Sequence, residues 1–333
     1  MVKSPCSVRR TSHAPIPFLA AWPDTDQSTR LLPFSRTYAP THTRTYAAVQ
    51  IDADTNLVTL LGYPVEHSLS PLIHNTAFRA QGVNAVYVAT PVRPSRLAEG
   101  VAGLEALQFL GANVTVPHKE AVRDLLDEVS MRAATVGAVN TIVCEDDALR
   151  GDNTDVDGFL TPLADTVDES IRGGSMLIFG AGGAARAVVY GLLARYAPEQ
   201  LTLVARRPEQ AEALAADFAD YDTQDALRVT TFEEAGDAVQ DSRLLVNATP
   251  LGMAPDNTDE TPWPDADNFT PDHVAYDLVY NPEETRFLQD AAAQGATTIG
   301  GLDMLVGQAA ASYEQWTGRE MPTDAVYEAL RQR

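Results

Sequence analysis

Lys119 lies in the stretch GANVTVPHKE, residues 111–120, and past residue 50 it is the chain's sole lysine. Arginine supplies every other fixed positive charge there. A guanidinium stays protonated in proteins, whereas an amine can give up and retake a proton, so a lone lysine in an arginine-rich background points to proton transfer. Asp155, in the polar run GDNTD, is an acid that could hydrogen-bond a reacting oxygen and orient that amine. A lysine at a random position would be a surface charge and Asp155 a helix cap, but the absence of every other lysine favours the catalytic reading. A third group is FGAGGAARA, where an apolar run meets a glycine cluster and then a long apolar segment. Gly180, Gly182 and the small Ala185, with Ala181, Gly183 and Ala184 between them, match a dinucleotide fingerprint. Glycines allow the tight turn and let backbone amides approach a pyrophosphate at a helix N-terminus. Some twenty-five residues on, where an NAD enzyme usually offers a carboxylate to the ribose, the chain has ARRP. Arg206 and Arg207 can grip a 2′-phosphate, which predicts NADP(H); otherwise they are arginines of a solvated loop. A nicotinamide enzyme needs a proton donor or acceptor beside the carbon that takes hydride, and Lys119 can be that group.

The elements that must position these residues read as an α/β protein with largely parallel sheets, because short β-rich runs alternate with helical patterns from residue 57 onward. The first strand is predicted near 57–62. A helix opens after Ser70 with Pro71 suited to its first position, and AVYVATPV is the next strand. Residues 95–110 read as a helix and GANVTV as a strand. Residues near 119–136 read as a helix with Lys119 at its start, and AVNTIVCEDDALRGDNTD as paired strands ending in a polar turn. The second unit has strands at MLIF, LTLVAR, LRVTTF, RLLVNATP and HVAYDLVY, with helices after the glycine cluster and over 208–220. Two closing helices, LDMLVGQAAASYEQWTG and TDAVYEALRQR, have no further sheet to serve. No repeat is evident.

The 333 residues carry 24 basic and 46 acidic side chains, a formal net charge of -22. That charge repels nucleic acid and anionic membrane, so neither is an expected partner. It suits a high-salt cytoplasm, where screening removes self-repulsion. Cys6 and Cys144 form neither a disulfide framework nor a metal-type pair, which fits a reducing compartment. His67, His74 and His273 lack metal-ligand spacing, so no metal is expected. Glycosylation triplets at Asn113, Asn247 and Asn268 read as chance matches. No apolar run is long enough to span a membrane. Residues 1–50 are basic, acid-poor and aperiodic, and read as a disordered leader, a transit-like segment or an upstream start-site error.

In order, GYPVEHSLSP, GANVTVPHK, GAVNT, GDNTDVDG, FGAGGAARA, NATPLGM, YDLVYNP and GLDMLVGQAA resemble the motifs of the shikimate dehydrogenase family, from about residue 57 to the end. The resemblance implies an N-terminal α/β substrate domain plus a C-terminal Rossmann-type NADP-binding domain. The expected bounds are a leader at 1–54, a discontinuous substrate domain at 55–157 and 302–333, and a dinucleotide domain at 158–301. It also implies a cytoplasmic monomer or homodimer acting on shikimate and 3-dehydroshikimate. Ser68 and Ser70 would hold the substrate carboxylate, and Asn113, Thr115, Asn140 and Gln308 the ring hydroxyls. Lys119 and Asp155 would be the catalytic pair. Ala205, Arg206 and Arg207 would surround the adenosine phosphate, Thr249 would lie near the cofactor, and Tyr280, Gly301 and Met304 would line the nicotinamide side.

Two positions depart from the family pattern. His118 replaces a frequent Phe and is expected to be a packing substitute, and Ala205 replaces a typical Asn, removing one adenosine contact. The nearest rival reading is a quinate/shikimate dehydrogenase that also accepts NAD. A methylenetetrahydrofolate dehydrogenase shares a two-domain layout and a lysine, but SLS and GDNTD speak against it. A non-catalytic NADPH-binding regulator would have no need for Lys119, Asp155, Ser68 and Ser70 together.

Overall fold

Two six-stranded sheets, each with helices packed on it, carry these motifs. A computed structural model describes residues 51–145, 148–167 and 171–333, and these form one compact unit. Of the disordered leader expected at residues 1–54, residues 1–50 lie outside the described residues, whereas residues 51–54 form a turn in which Asp52 Oδ1 accepts from Asp54 N, Thr55 Oγ1 and Asn84 Nδ2.

The first sheet has the order β2-β1-β3-β5-β6-β4. Its strands are β1 (Asn56–Gly62), β2 (Ala85–Pro91), β3 (Gly111–Val114), β4 (Glu128–Val129), β5 (Thr141–Glu145) and β6 (Ala148–Asp152). β1, β2 and β3 run parallel, but β5 is antiparallel to both β3 and β6. The sheet is parallel-rich, as expected, since β4 also runs parallel to β6, and β5 is its antiparallel strand. β5 and β6 are separated by only two residues, which is too few for a crossover and leaves an antiparallel hairpin as the sole option.

Helix α1 (Ser70–Gln81) starts with Pro71 in its first turn and ends at Gly82 in the left-handed conformation. α2 spans Leu97–Ala106. Residues 119–136 do not form the continuous helix expected. A turn carries Lys119, Ala121–Leu125 is a 3₁₀ segment, β4 pairs with β6, and only Met131–Val136 is α-helical (α3). Strand pairing overrides local helix preference in this stretch. Asp155, expected in a turn, is the first residue of α4 (Asp155–Val167).

The second sheet is parallel throughout, in the order β12-β11-β10-β7-β8-β9. It comprises β7 (Ser175–Phe179), β8 (Gln200–Val204), β9 (Leu227–Thr230), β10 (Leu244–Asn247), β11 (Val274–Asp277) and β12 (Thr297–Ile299). Its helices are α5 (Gly183–Tyr196), α6 (Pro208–Asp217), α7 (Gly236–Asp241) and α8 (Arg286–Ala293). This order is that of a doubly wound dinucleotide-binding sheet, which binds where the strand order reverses, between β7 and β10. Met176, Leu177, Ile178 and Phe179 of β7 are fully buried, as expected for a central parallel strand covered on both faces.

The chain then returns to the first sheet. α9 (Gly301–Thr317) and α10 (Thr323–Arg331) supply Val306, Ala309, Tyr313, Trp316 and Val326 to a core shared with β1, β2 and α1. α4, leaving the first sheet, packs against α9, coming back. Gly158 and Gly307 let the two backbones touch, since a Cβ at Gly158 would stand 2.6 Å from the Met304 carbonyl oxygen. The two links between the sheets thus form one close-packed pair.

Candidate active site

The strand ends of the first sheet face those of the second across a cavity of about 370 Å³. That size suits a small metabolite beside part of a larger ligand. Beyond β1, the chain turns into α1, whose N-cap position, Leu69, offers no side-chain cap. Ser70 N donates to Ser68 Oγ at 3.2 Å and Pro71 has no amide hydrogen, so this first turn offers mainly the Ser68 and Ser70 hydroxyls, themselves 3.2 Å apart. β3 delivers Asn113 and then Thr115, whose amide donates to the Leu61 carbonyl and extends the sheet.

Lys119 is held by its own backbone, because its carbonyl accepts from Val139 N at 2.7 Å. Its Nζ lies 2.6 Å from Asp155 Oδ2, with the side chains 19% and 9% exposed. Asn140 Nδ2 donates to the other oxygen, Asp155 Oδ1, at 2.7 Å. Asn140 Oδ1 in turn accepts from Thr154 N at 2.7 Å and from the hydroxyls of Thr141 and Thr154. The carboxylate is thereby fixed at both oxygens, and the amide that fixes it is itself held by three donors to its Oδ1.

Asn113 belongs to the wall more than to the open space. Its Nδ2 donates to Asn140 O, Thr141 Oγ1 and Ser312 Oγ, and its Oδ1 accepts from the Tyr87 hydroxyl at 2.9 Å. Tyr87, Thr141, Thr154 and Ser312 are residues that reading the sequence does not pick out. Thr141 and Thr154 sit inside the quoted motifs, but nothing in the sequence marks Tyr87 or Ser312, which reach the site only through folding. His118 Nε2 bonds the Val92 carbonyl at 2.6 Å in the core, consistent with a packing role. His273 is likewise buried, its Nδ1 accepting from Thr270 N.

On the other side, Ala184, Leu278, Tyr280, Gly301, Met304, Leu305 and Gln308 close the cavity. Burial pushes the Tyr280 phenol above its ordinary value. Thus Ser68, Ser70, Asn113, Thr115, Lys119, Asn140, Asp155, Tyr280 and Gln308 all line one space with Ala184, Gly301 and Met304. Gly180, Ala181, Gly182, Gly183, Ala205, Arg206, Arg207 and Thr249 do not line it. They lie at or just beyond the ends of β7, β8 and β10.

Those residues fit a dinucleotide. Gly180 has φ +107° and packs against the Ala248 carbonyl, where a Cβ would come within 3.0 Å. Gly182 is the N-cap of α5 and has no side-chain cap, and a Cβ on Gly182 or Gly183 would point into open space. Uncapped amides facing open space can receive a phosphate. Ala205 is buried, whereas Arg206 and Arg207 are exposed and make no ion pair with a described residue. Among the described residues, no three His, Cys, Asp or Glu side chains gather as a metal site, and no helix is long and apolar enough to cross a membrane.

A doubly wound sheet that opens onto a polar cavity holding an amine–carboxylate pair defines the class of two-lobed nicotinamide-dependent dehydrogenases. Residues 60–142 match the shikimate dehydrogenase substrate binding domain and residues 301–331 the shikimate 5′-dehydrogenase C-terminal domain. The NADP(+) shikimate dehydrogenase of Salinibacter ruber is 69% identical over 84% of this chain and 99% of its own length. The Thermus thermophilus shikimate 5-dehydrogenase, solved with NADP(H) and shikimate, is 37% identical over 84% of this chain and 99% of that one, with a TM-score of 0.73. The quinate dehydrogenase of Corynebacterium glutamicum, solved with NAD, is 31% identical over 84% and 99% of the two chains, with a TM-score of 0.77. The chain belongs to the shikimate dehydrogenase family.

Proposed function

We propose that this chain is an NADP-dependent shikimate dehydrogenase that reversibly reduces 3-dehydroshikimate to shikimate. The observation that carries the reading is the 2.6 Å pairing of Lys119 Nζ with Asp155 Oδ2 inside the cavity between the two sheets. NADPH, when bound at the glycine turn and Arg206 and Arg207, supplies the hydride for C3 of the ketone. Lys119, as an ammonium, donates its proton to the C3 oxygen as that oxygen gains charge, and takes a proton back in the reverse direction. Asp155 keeps the ammonium aimed at that oxygen, and Asn140 keeps Asp155 from turning. Among the described residues that line the cavity Lys119 is the only lysine or arginine, so the substrate carboxylate falls to the Ser68 and Ser70 hydroxyls. Thr115, Gln308 and the surfaces of Asn113 and Asn140 face the ring hydroxyls. A site built to bond hydroxyls rejects analogues that lack them.

This reading divides the chain into a substrate lobe of residues 55–157 and 302–333 and a dinucleotide lobe of 158–301. Its support is the return of α9 and α10 to the core of the first sheet. Following reduced-nicotinamide absorbance with shikimate or quinate, each with NADP or NAD, tests the assignment. Turnover fastest with shikimate and NADP is expected. A clear preference for quinate with NAD, or no turnover with any pair, would overturn it.

A further inference from the structure

The reaction above leaves one fully buried acid without a task. Asp277 ends β11 directly beside Asn247, the last residue of β10, and both are 0% exposed. Asp277 Oδ1 accepts from Asn247 Nδ2 and from Val279 N, each at 2.9 Å, and Oδ2 accepts from Thr285 Oγ1 at 2.6 Å. Every partner is a donor, which explains an acid here: a carboxylate has two accepting oxygens, an amide only one. Burial pushes the carboxyl up to about 6, only partly offset by the bonds from Thr285, Val279 and Asn247. An uncompensated core would not keep such a group, so its bonds must serve the segments they join.

One of those segments lines the cavity, and another follows the end of β10. Asn247 Oδ1 accepts from Thr249 N and from Thr249 Oγ1 at 2.6 Å, and Nδ2 also donates to the Leu251 carbonyl, so Asn247 shapes the loop after β10. The bond to Val279 N fixes the turn between Leu278 and Tyr280, both of which line the cavity. Gly301 closes the other side of that turn, since a Cβ there would lie 2.5 Å from the Leu278 carbonyl oxygen. Thr285 ties in the start of α8, where it accepts from Leu288 N.

We infer that Asp277 is a positioning residue for the reaction: through Asn247, Val279 and Thr285 it sets Thr249 and the Leu278–Tyr280 wall, and so the alignment of ketone and nicotinamide. This rests on the function proposed above. Misplacement of a reacting atom by about 1 Å can cost on the order of 100-fold in rate. Steady-state kinetics with NADPH, NADPH binding by fluorescence, and circular dichroism should be compared for wild type, Asp277→Ala, Asp277→Asn, Thr285→Val and Thr285→Ser.

For folded Asp277→Ala we expect kcat to fall about 10- to 100-fold, with NADPH affinity changed less than about threefold. Thr285→Val, which removes one donor, should lower kcat by less, and Thr285→Ser should restore it. Asp277→Asn keeps the shape and can retain the Asn247 and Val279 bonds, so it should fall between the two. A merely structural acid would lower melting temperature and leave the kcat of the folded protein unchanged. Should Asp277→Ala fail to fold, the Thr285 pair still decides: equal kcat in Thr285→Val and wild type overturns the inference. Absence of turnover in wild type would instead sink the proposed reaction, and this inference with it.

Discussion

Asn140 donates to one oxygen of Asp155, so the second oxygen, 2.6 Å from Lys119 Nζ, is the only one the amine meets. When a substrate oxygen competes for the ammonium, the Asn140 bond still keeps the carboxylate from swinging away. Lys119→Met is therefore expected to lower kcat by about 10²- to 10⁴-fold while the shikimate KM shifts little, because only the transition state needs the proton. Asn140→Ala leaves the pair intact but free to rotate and should lose less. Equal losses in both variants would show that Asn140 does more than hold Asp155.

Arg206 and Arg207 stand exposed beyond β8 without ion-pair partners among the described residues. Arg206→Asp replaces a phosphate-gripping cation with an acceptor for ribose hydroxyls. Its NADPH affinity should drop about 10- to 100-fold, in line with loss of charge-assisted bonds, while NADH is used better. Coenzyme titrations check this, and an unchanged NADPH affinity would assign the arginines elsewhere.

Arg186, on α5 of the second sheet, reaches across to the last residue of α3. Its Nε donates to the Val136 carbonyl at 2.5 Å, its Nη2 lies 2.8 Å from Asp217 Oδ2, and the side chain is 14% exposed. Arg186→Lys cannot reproduce that fork. It should destabilise the fold by about 1–3 kcal/mol, mostly through the carbonyl left unpaired, since Asp217 is itself largely exposed. Denaturant unfolding measures the loss.

His74 is fully buried and stacked on Tyr87 with ring centroids 4.5 Å apart. Burial pushes its pKa from 6.5 down to about 3, so between those values the unfolded chain binds a proton that the folded one refuses. Stability from this residue is complete above pH 6.5 and declines toward pH 3, by about 1.4 kcal/mol per pH unit. Asp277 acts in the opposite sense: its raised pKa makes the folded state the better proton binder between 3.8 and about 6, so its contribution falls as pH rises through that window. The two slopes oppose each other there. Asp277→Asn should unmask a steeper acid loss, and His74→Phe should remove it. Melting temperatures across pH 4 to 6.5 that are parallel in all three proteins would refute the assignment.

The formal charge of -22 predicts salt-dependent stability. Raising KCl from about 0.1 M to about 2 M shortens the screening length from ~10 Å to under ~3 Å and should raise the melting midpoint. A midpoint indifferent to salt would remove the high-salt reading.

The dinucleotide sheet is plainly legible in the sequence, because a doubly covered parallel strand is a continuous apolar run, and MLIF runs straight into its glycine turn. Lys119 and Asp155 stand out by residue type and motif. β12 does not, since two of its three residues are exposed threonines with no apolar signal. The stretch after Lys119 misleads because its alanines and charged residues favour a helix until β4 pairs with β6. Ser312 is invisible for another reason: it meets Thr141 only after α9 has crossed back, 171 positions along the chain.

With Lys3 the only other lysine in the chain, isotope enrichment at lysine would yield just two side-chain ammonium resonances. One of them belongs to the cavity. Its chemical shift would report ligand occupancy and proton exchange directly, with no need to assign the rest of the spectrum.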